Sequence, residues 1–392
     1  MSQIIVVADD LTGACDCGMQ FSCADKSTKI VLPFNSDISN YENTDVISIT
    51  TETRNLKKDK VKHQLDKVLF DVLKHKNAFF YKKTDSTLRG NIGLECLYLK
   101  EKLNKDAVIF APAYPKEKRF TINGFQYIED KLITKLDCAY DPKAPIKSAK
   151  LEDLFECKCV VLDVNCDTET LAKKIDTAIE QCTKVIIFNA KSENDLQNIA
   201  KTSNLSKYNL LFAGSAGLAE AFSNQIQNKI KVKSKKSIIF ITGSMTNKNR
   251  EQVEYLKNNS DIFSIDLKKE DIENNNNFTP LIKTKIKENK DIIIHTSSIC
   301  FDKNLKDKIS NYLSEILFKI KNENINLVLS GGECAQRCLE KLKIEYLDYI
   351  TSITTSIGVF KDNNSRLIVL KSGNFGTKET YFNIKKYFKE EK

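Results

Sequence analysis

Short runs of consecutive apolar residues recur along the chain, and each is followed by polar or glycine-rich residues and then by a helical pattern. The runs cover residues 4–8, 46–49, 78–81, 107–111, 159–163, 185–189, 210–213, 237–242, 291–295, 327–330 and 366–370. Continuous rather than alternating apolar residues indicate strands buried on both faces, as in a parallel sheet. Helix-like segments such as 60–75 and 168–182 lie between the runs. The pattern therefore predicts an α/β fold with largely parallel sheets flanked by helices.

The length of the chain predicts more than one domain, because 392 residues exceed an ordinary domain of roughly 150 residues. The polar segment 224–236 contains no large apolar cluster and is the predicted boundary. We therefore expect an N-terminal domain over residues 1–230 and a C-terminal domain over residues 231–392. The asparagine-rich tract 273–277 predicts a surface loop.

The net charge of +9 at pH 7 does not predict a nucleic-acid surface, because 61 Lys and Arg residues are interleaved with 52 acidic residues. The densest basic run, 229–236, is short and lacks interleaved aromatic residues. No segment approaches the roughly 20 apolar residues of a membrane span. Residues 1–10 also lack the basic start of a signal peptide. We therefore expect a cytoplasmic protein with neither nucleic-acid nor membrane partners.

The 12 cysteines include no Cys-x-x-Cys pair, and the three histidines lie outside zinc-finger spacing. Disulfides are not expected without a secretion signal. The pattern favours reduced cysteines that serve as small buried residues.

Polar residues follow the first predicted strand, at the point where ligands bind in open α/β sheets. They are Asp9, Asp10, Thr12 and Gly13. Two such acids can orient a hydroxyl or hold magnesium, but one of them can equally serve as a helix N-cap. The pattern alone leaves both interpretations open.

A denser polar cluster follows the run at 78–81, where residues 82–91 read KKTDSTLRGN. Arg89 can clamp a carboxylate with two parallel hydrogen bonds, and Asp85 can accept a hydrogen bond from a hydroxyl. The density of polar groups favours an anionic, hydroxylated ligand over a solvated turn. Arg54 follows the run at 46–49 and could be a second anion clamp, although a lone arginine is more often a surface residue.

Three small-residue loops follow strands of the second predicted domain, at 242–246 (TGSMT), 330–333 (SGGE) and 371–376 (KSGNFG). Glycines let backbone N–H groups approach a phosphate closely, and a following helix N-terminus favours negative charge. Three such loops in one domain predict a nucleotide site. The loops match neither a Walker sequence nor the glycine motifs of protein kinases and dinucleotide-binding proteins.

Together, the segments 8–14, 83–93 and 371–376 resemble the four-carbon acid sugar kinase family, which includes D-threonate, L-threonate, D-erythronate and 3-oxotetronate kinases. Arg54 and the short segments 111–115, 123–124, 214–218, 243–244 and 331–333 give weaker support. The resemblance implies a sugar-acid-binding N-terminal domain, a nucleotide-binding C-terminal domain and an active site in the cleft between them. It also implies transfer of the γ-phosphoryl group of ATP, with Mg²⁺, to the terminal hydroxyl of a four-carbon acid.

Carried over residue by residue, the resemblance assigns two sets of site residues. The sugar acid would face Asp9, Asp10, Arg54, Lys83, Asp85, Ser86 and Arg89. The nucleotide would face Ser244, Gly331, Gly332, Glu333, Lys371, Gly373 and Gly376. Arg89, together with Arg54, would hold the substrate carboxylate, and either Asp10 or Asp85 would take the proton of the hydroxyl.

The expected substrate is D-threonate or D-erythronate, because the run 16–20 is closer to the kinases of those acids than to 3-oxotetronate kinases. A 3-oxotetronate kinase and a non-catalytic sugar-acid sensor are the alternatives. A dehydrogenase or aldolase is a weaker one, since the dinucleotide motif of a dehydrogenase is missing. The residues leave the metal ligands and the formation of a homo-oligomer open.

Overall fold

The computed structural model of the chain describes residues 3–22, 26–33, 41, 43–75, 77–141, 143–223, 232–299, 302, 305–354, 356–373 and 375–389. The chain divides into two compact units, Met1–Ile226 and Gln227–Lys392. Residues 224–231, the first part of the predicted boundary segment, lie outside the described residues, as does Asn374 in the third glycine loop.

The first unit is an α/β unit, as the apolar runs predicted. Its strands are β1 (Ile4–Ala8), β2 (Thr28–Val31), β3 (Val46–Thr50), β4 (Phe79–Lys83), β5 (Ala107–Ala111), β6 (Arg119–Ile122), β7 (Phe125–Ile128), β8 (Lys131–Leu132), β9 (Cys159–Leu162), β10 (Val185–Phe188) and β11 (Leu210–Gly214). Its helices are α1 (Leu11–Phe21), α2 (Lys58–Leu69), α3 (Ile92–Lys102), α4 (Thr168–Glu180), α5 (Glu193–Lys201) and α6 (Ala216–Phe222). The main sheet has the order β2-β3-β1-β4-β11-β5-β10-β9, with parallel neighbours throughout.

The order of these strands creates a topological switch point between β1 and β4. From β1 the chain runs outwards to β2 and returns to β3, and it then crosses to β4 on the other side of β1. In open α/β sheets a crevice forms at such a point, beyond the carboxyl ends of the strands. The polar residues that follow β1 and β4 therefore meet at this crevice.

A small antiparallel sheet, β6-β7-β8, branches from the first unit after β5. Asn123 and Gly124 connect β6 to β7 with φ angles of 50° and 74°. Positive φ at both central residues is typical of the tight turn that matches the twist of a hairpin. The sequence analysis predicted no strands here, because β6 and β7 are short and are not continuous apolar runs.

The second unit is also an α/β unit. Its strands are β12 (Ser237–Thr242), β13 (Phe263–Asp266), β14 (Ile292–His295), β15 (Ile325–Ser330), β16 (Tyr346–Thr354), β17 (Ile357–Lys361) and β18 (Leu367–Lys371). Its helices are α7 (Asn247–Asn259), α8 (Lys269–Glu273), α9 (Thr279–Lys287), α10 (Lys306–Lys319), α11 (Gly332–Lys341) and α12 (Thr380–Lys389). The asparagine tract is exposed, and Glu273 ends α8.

The sheet of the second unit has the order β13-β14-β12-β15-β18-β17-β16. It is parallel from β13 to β18, and β17 pairs antiparallel with both β18 and β16. A second switch point lies between β12 and β15, because the chain goes from β12 to one side and returns to the other. The first two predicted glycine loops follow these two strands.

Aromatic packing holds α1 and α6 against the sheet of the first unit. The rings of Phe21 at the end of α1 and Tyr81 in β4 meet edge to face, with centroids 5.4 Å apart. Phe222 of α6 packs against Phe79 of β4 at 5.0 Å. Such pairs contribute roughly 0.5–1.5 kcal/mol beyond the burial of their area.

Among the helices described, none has the length and apolar character to cross a membrane.

Candidate active site

Arg54 joins the two acids that follow β1. Its Nε and Nη2 donate to the two carboxylate oxygens of Asp9 at 2.8 Å each, and its Nη1 and Nη2 donate to Asp10 at 2.6 and 2.7 Å. Asp10 is also the N-cap of α1, since its Oδ1 accepts from the Gly13 N–H at 2.8 Å. The helix-cap interpretation of Asp10 is therefore correct, and the same carboxylate also pairs with Arg54.

Burial and the neighbouring positive charge shift the pKa of Asp9 in opposite directions. Burial alone would raise the pKa of the Asp9 carboxyl, but the Arg54 guanidinium outweighs it and the pKa is lowered. Asp9 is 1% exposed, so its charge depends on this partner. The same two acids hold the pKa of Arg54 above its usual range against the effect of burial.

Asp85 and Arg89 form a second, less tightly held pair after β4. Arg89 donates from Nε to Asp85 at 2.7 Å, while its Nη2 lies 3.3 Å from Asp85 and its Nη1 3.3 Å from Asp141. Asp85 also accepts from the Thr87 hydroxyl. Burial alone would raise the pKa of Asp85, but Arg89 and Arg54 hold it well below its usual range.

The two lysines at the end of β4 point to opposite faces of the strand, as successive residues in a strand do. Lys82 is fully buried, and its Nζ lies 2.6 Å from Oε2 of Glu95, a residue of α3 that is also buried. Burial alone would lower the pKa of Lys82, but Glu95 outweighs it and raises the pKa. Lys83 instead lies in the crevice, with Nζ 3.1 Å from the position that a Cβ on Gly13 would take.

Ser86 receives its partners from the small antiparallel sheet. Its hydroxyl accepts from Nη1 of Arg119, and its carbonyl accepts from the Gln126 side chain at 3.0 Å. The structure therefore brings all seven predicted sugar-acid residues to one switch point. It adds two charged residues that the sequence analysis missed, Asp141 beside Arg89 and Arg119 beside Ser86.

Asp16 is a third residue that the sequence analysis did not assign to the site. It lies in α1, three residues after Gly13, and is half-buried. Burial raises the pKa of its carboxyl to about 7, and the nearby Lys83 opposes that rise. The sequence analysis used Asp16 only as the start of the run 16–20, which bears on the substrate. The signal for a place in the site is spacing, because residues three and four apart share a helix face and Asp16 lies on the face of Thr12 and Gly13.

The predicted nucleotide loops meet at the switch point of the second unit. A Cβ on Gly373 would lie 3.1 Å from Oγ of Ser244 and 3.9 Å from Cα of Gly331. Gly331 has a φ of 93°, and among the described residues a Cβ there would meet no atom within 4 Å. Gly332 begins α11, whose first turn contains Glu333. This is an open cradle of backbone at a helix N-terminus, the arrangement that suits a phosphate.

The Lys371 side chain contacts the backbone of the third loop from the buried side. It is 1% exposed, and its Nζ donates to the Ser372 carbonyl at 2.9 Å and lies over the Tyr381 ring at 5.2 Å. Burial lowers the pKa of Lys371 to about 7, and Lys248 adds to the effect. Gly376 lies apart from these contacts, where a Cβ would be only 2.2 Å from Oγ1 of Thr380 at the start of α12.

A buried asparagine connects the first nucleotide loop to the helices around it. The Asn249 side chain accepts from the Thr242 hydroxyl at 2.9 Å and the Tyr381 hydroxyl at 2.6 Å, and donates to the Ser244 carbonyl at 2.8 Å. Over the described part of the chain, no three His, Cys, Asp or Glu side chains are grouped to hold a metal ion.

The chain thus has two α/β units, one with polar loops and one with glycine-rich loops at its switch point. This arrangement is that of a two-domain α/β protein with a ligand site in each unit. A family model for a sugar-binding N-terminal domain matches residues 4–222, and one for a nucleotide-binding C-terminal domain matches residues 239–381. The chain belongs to the four-carbon acid sugar kinase family.

Curated relatives of the chain are kinases of several four-carbon acids. The chain is 26% identical to a D-erythronate kinase of Heliobacterium modesticaldum over 267 residues. This matched region is 66% of this chain and 61% of that protein. The chain is 27% identical over 258 residues to a D-threonate kinase of Salmonella typhimurium, covering 64% and 60%. A 3-oxo-tetronate kinase of Haemophilus influenzae is 22% identical over 96% of this chain and 97% of its own length. The similarity thus spans about three fifths of the length of the first two.

The fold also occurs in solved structures. A Salmonella typhimurium protein matches with a TM-score of 0.83 and 17% identity, over 99% of this chain and 100% of that one. A Haemophilus influenzae protein matches with a TM-score of 0.76 and 21% identity, over 98% and 100%. At these identities the likeness shows the fold alone.

Proposed function

We propose that the chain is an ATP-dependent phosphotransferase whose acceptor is the terminal hydroxyl of a four-carbon sugar acid. The observation that carries the proposal is the crevice between β1 and β4, where arginine, lysine, carboxylate and hydroxyl groups converge. An anionic ligand with several hydroxyls satisfies such a mixture, because the cations bind its carboxylate and the acids accept from its hydroxyls.

Arg89 is the better candidate for binding the substrate carboxylate. Its side chain is 26% exposed, and two of its three side-chain contacts are as long as 3.3 Å. The Arg54 side chain is 10% exposed and makes four contacts of 2.8 Å or less. We infer that Nη1 and Nη2 of Arg89 bind the substrate carboxylate while its Nε keeps the 2.7 Å contact with Asp85, and that Arg54 holds Asp9 and Asp10 in position.

The loops of Ser244, Gly331 and Gly373 are proposed to bind the phosphates of ATP. The open space beside Gly331 supports this role. The Gly331 N–H itself donates to the Lys371 carbonyl at 3.0 Å, but the N–H groups at the start of α11 can approach a phosphate there without a side chain of the described residues in the way. Gly332, Glu333, Lys371 and Gly376 complete the proposed set. Magnesium would enter as MgATP, held by phosphate oxygens and water, as this ion commonly is.

D-threonate or D-erythronate is the proposed substrate, since relatives named for these two acids are 26–27% identical to the chain. The 3-oxo-tetronate kinase relative is 22% identical and defines the alternative substrate. In each case phosphoryl transfer requires mainly that the hydroxyl be positioned and that developing charge be stabilised.

The test is a coupled assay of ADP release with MgATP and a panel of acids: D- and L-threonate, D- and L-erythronate and 3-oxotetronates. We expect turnover with D-threonate or D-erythronate, and ³¹P NMR should show a phosphate ester on the terminal carbon. Binding of an acid by calorimetry with no ADP release from any member would contradict the phosphotransferase and favour the sensor.

Replacing Arg89 by Ala should raise the KM for the acid by about 10- to 150-fold, which corresponds to a lost charge-assisted contact of roughly 1.5–3 kcal/mol. Arg89→Lys should give an intermediate KM, because lysine retains the charge but loses the planar fork. The KM for ATP in the same variants is the internal control and should change less than about threefold. An unchanged KM for the acid in Arg89→Ala would show that its carboxylate binds elsewhere.

A further inference from the structure

Transfer to a hydroxyl needs a group that takes the hydroxyl proton, and such a base needs a free lone pair and a pKa near the working pH. Asp85 does not meet these conditions, because Arg89 and Thr87 bind its carboxylate and its pKa is well below the usual range. Asp10 accepts from Arg54, from the Thr12 hydroxyl at 2.6 Å and from the Gly13 N–H. Both carboxylates therefore position other groups.

Asp16 lies near Asp10 in the same unit, but its carboxylate has fewer hydrogen-bond partners than those of Asp10 and Asp85. Thr12 and Gly13 lie one helical turn earlier on the same face of α1, and Gly13 is in turn beside Nζ of Lys83. Among the described residues, no hydrogen bond or ion pair binds the Asp16 carboxylate. It is therefore an acid of the crevice whose lone pairs are available to a ligand.

The charges around Asp16 come from three parts of the first unit. Lys83 of β4 and Arg119 of β6 favour its ionised form, whereas Asp10 before α1 and Glu117 before β6 disfavour it. Burial is the largest influence and raises the pKa of Asp16 to about 7. At neutral pH the carboxyl can therefore both accept and release a proton, as a catalytic base must in each cycle.

We propose that Asp16 is the general base of the phosphoryl transfer, an inference that rests on the proposed kinase function. As the terminal hydroxyl oxygen forms its bond to the γ-phosphorus of ATP, its proton passes to the Asp16 carboxylate. The bond from the γ-phosphorus to the β,γ-bridging oxygen breaks, and ADP leaves with that electron pair. Asp16 then releases its proton to solvent, and Lys83 stays beside it.

The test begins with the pH dependence of ADP release by the wild-type enzyme. We expect kcat/KM to fall with a slope of one below about pH 7, the pH at which Asp16 becomes protonated. Wild-type enzyme that turns over without such an acid limb between pH 5.5 and 8 would overturn the role of Asp16. Wild-type enzyme that fails to turn over any acid would instead overturn the proposed function, so the two failures are distinguishable.

Asp16→Asn removes the base and nearly preserves the shape of the side chain. We expect kcat to fall by about 10²- to 10⁴-fold, and the acid limb to disappear from the residual activity. The KM values for the acid and ATP should stay within about threefold of wild type, because the residue acts on the proton. A variant that folds, binds ATP and keeps wild-type kcat would overturn the proposal.

Glu117→Gln is the matched control, since it makes the same chemical change beside Asp16. Glu117 disfavours the ionised form of Asp16, so its loss should move the acid limb to lower pH while the maximal rate stays near wild type. A limb that stays in place or moves to higher pH in this variant would show that Asp16 does not produce it. This measurement keeps the proposal testable even if Asp16→Asn does not fold.

Discussion

Arg54→Met is expected to lower the free energy of unfolding by about 3–5 kcal/mol, the range measured when one partner of a buried ion pair is removed. The substitution leaves Asp9, whose side chain is 2% exposed, without the guanidinium that binds both of its oxygens. It also removes two contacts from Asp10, although the Gly13 N–H and the Thr12 hydroxyl remain. Urea unfolding followed by circular dichroism measures the loss.

The destabilisation by Arg54→Met should depend on pH in a defined direction. In the wild type the pKa of Asp9 is below its ordinary value of 3.8, so this carboxylate stays ionised from pH 8 to pH 5. In the variant, burial without Arg54 raises that pKa above 3.8, so the destabilisation is largest at high pH and shrinks as the pH falls through the raised pKa.

Arg337→Met is the control for Arg54→Met, because Arg337 is a 47% exposed arginine of α11 whose ion pair in the described part of the chain is a long one, 4.0 Å from Glu340. Its stability should change by less than about 0.5 kcal/mol. Equal stabilities of the two variants would contradict the structural role of Arg54. A destabilisation of Arg54→Met that is larger at pH 5 than at pH 8 would contradict the electrostatic explanation.

Lys82→Met should be destabilising by a similar amount, about 3–5 kcal/mol, because it leaves the Glu95 carboxylate buried without its partner. The two side chains are 0% and 1% exposed, and their charged atoms are 2.6 Å apart. The double variant Lys82→Met/Glu95→Leu should recover most of the loss, since buried ion pairs are often replaced by apolar residues at little cost. A double-mutant cycle in urea therefore separates the pair from the packing around it.

Lys83→Met is the control for Lys82→Met. It changes the neighbouring lysine, whose Nζ donates, within the described residues, to the carbonyl of the next residue, Thr84, at 2.9 Å. We expect its unfolding free energy to stay within about 1 kcal/mol of wild type, since among the described residues Lys83 forms no ion pair and acts on Asp16 and Asp9 only as a nearby charge. If Lys82→Met/Glu95→Leu is no more stable than Lys82→Met alone, the loss of unfolding free energy comes from packing and not from the charge of Glu95.

The apolar runs were sufficient to predict both α/β units, because a strand covered on both faces needs consecutive apolar residues whatever its neighbours are. The predicted strand at 4–8 is β1, and that at 237–242 is β12. The sheet β6-β7-β8 escaped prediction, since its strands are short and only partly buried. Strand order also escaped prediction, and it is this order that brings the end of β1 beside the end of β4.

Three parts of the candidate site show why local pattern was insufficient. Lys82 and Lys83 are the same residue type at consecutive positions, yet one neutralises a helix carboxylate in the core and the other lies in the crevice. Arg54 matched the pattern of an anion clamp, but in the fold Asp9 and Asp10 occupy its guanidinium. Asp16 entered the sequence analysis only as part of the run 16–20, and its raised pKa arises from burial in the folded unit.

The sequence by itself therefore determined the α/β class, the two domains to be expected, and the strand ends at which chemistry is concentrated. These follow from residue type and spacing along the chain, which act locally. Only the tertiary structure decided which charges pair, which stay available and which carboxyl titrates near neutral pH. Such properties depend on burial and on partners distant in sequence, as between Arg54 and Asp9 or Arg119 and Ser86. The folded structure sets the spatial distances between these groups, and those distances set the electrostatic energies in a protein interior.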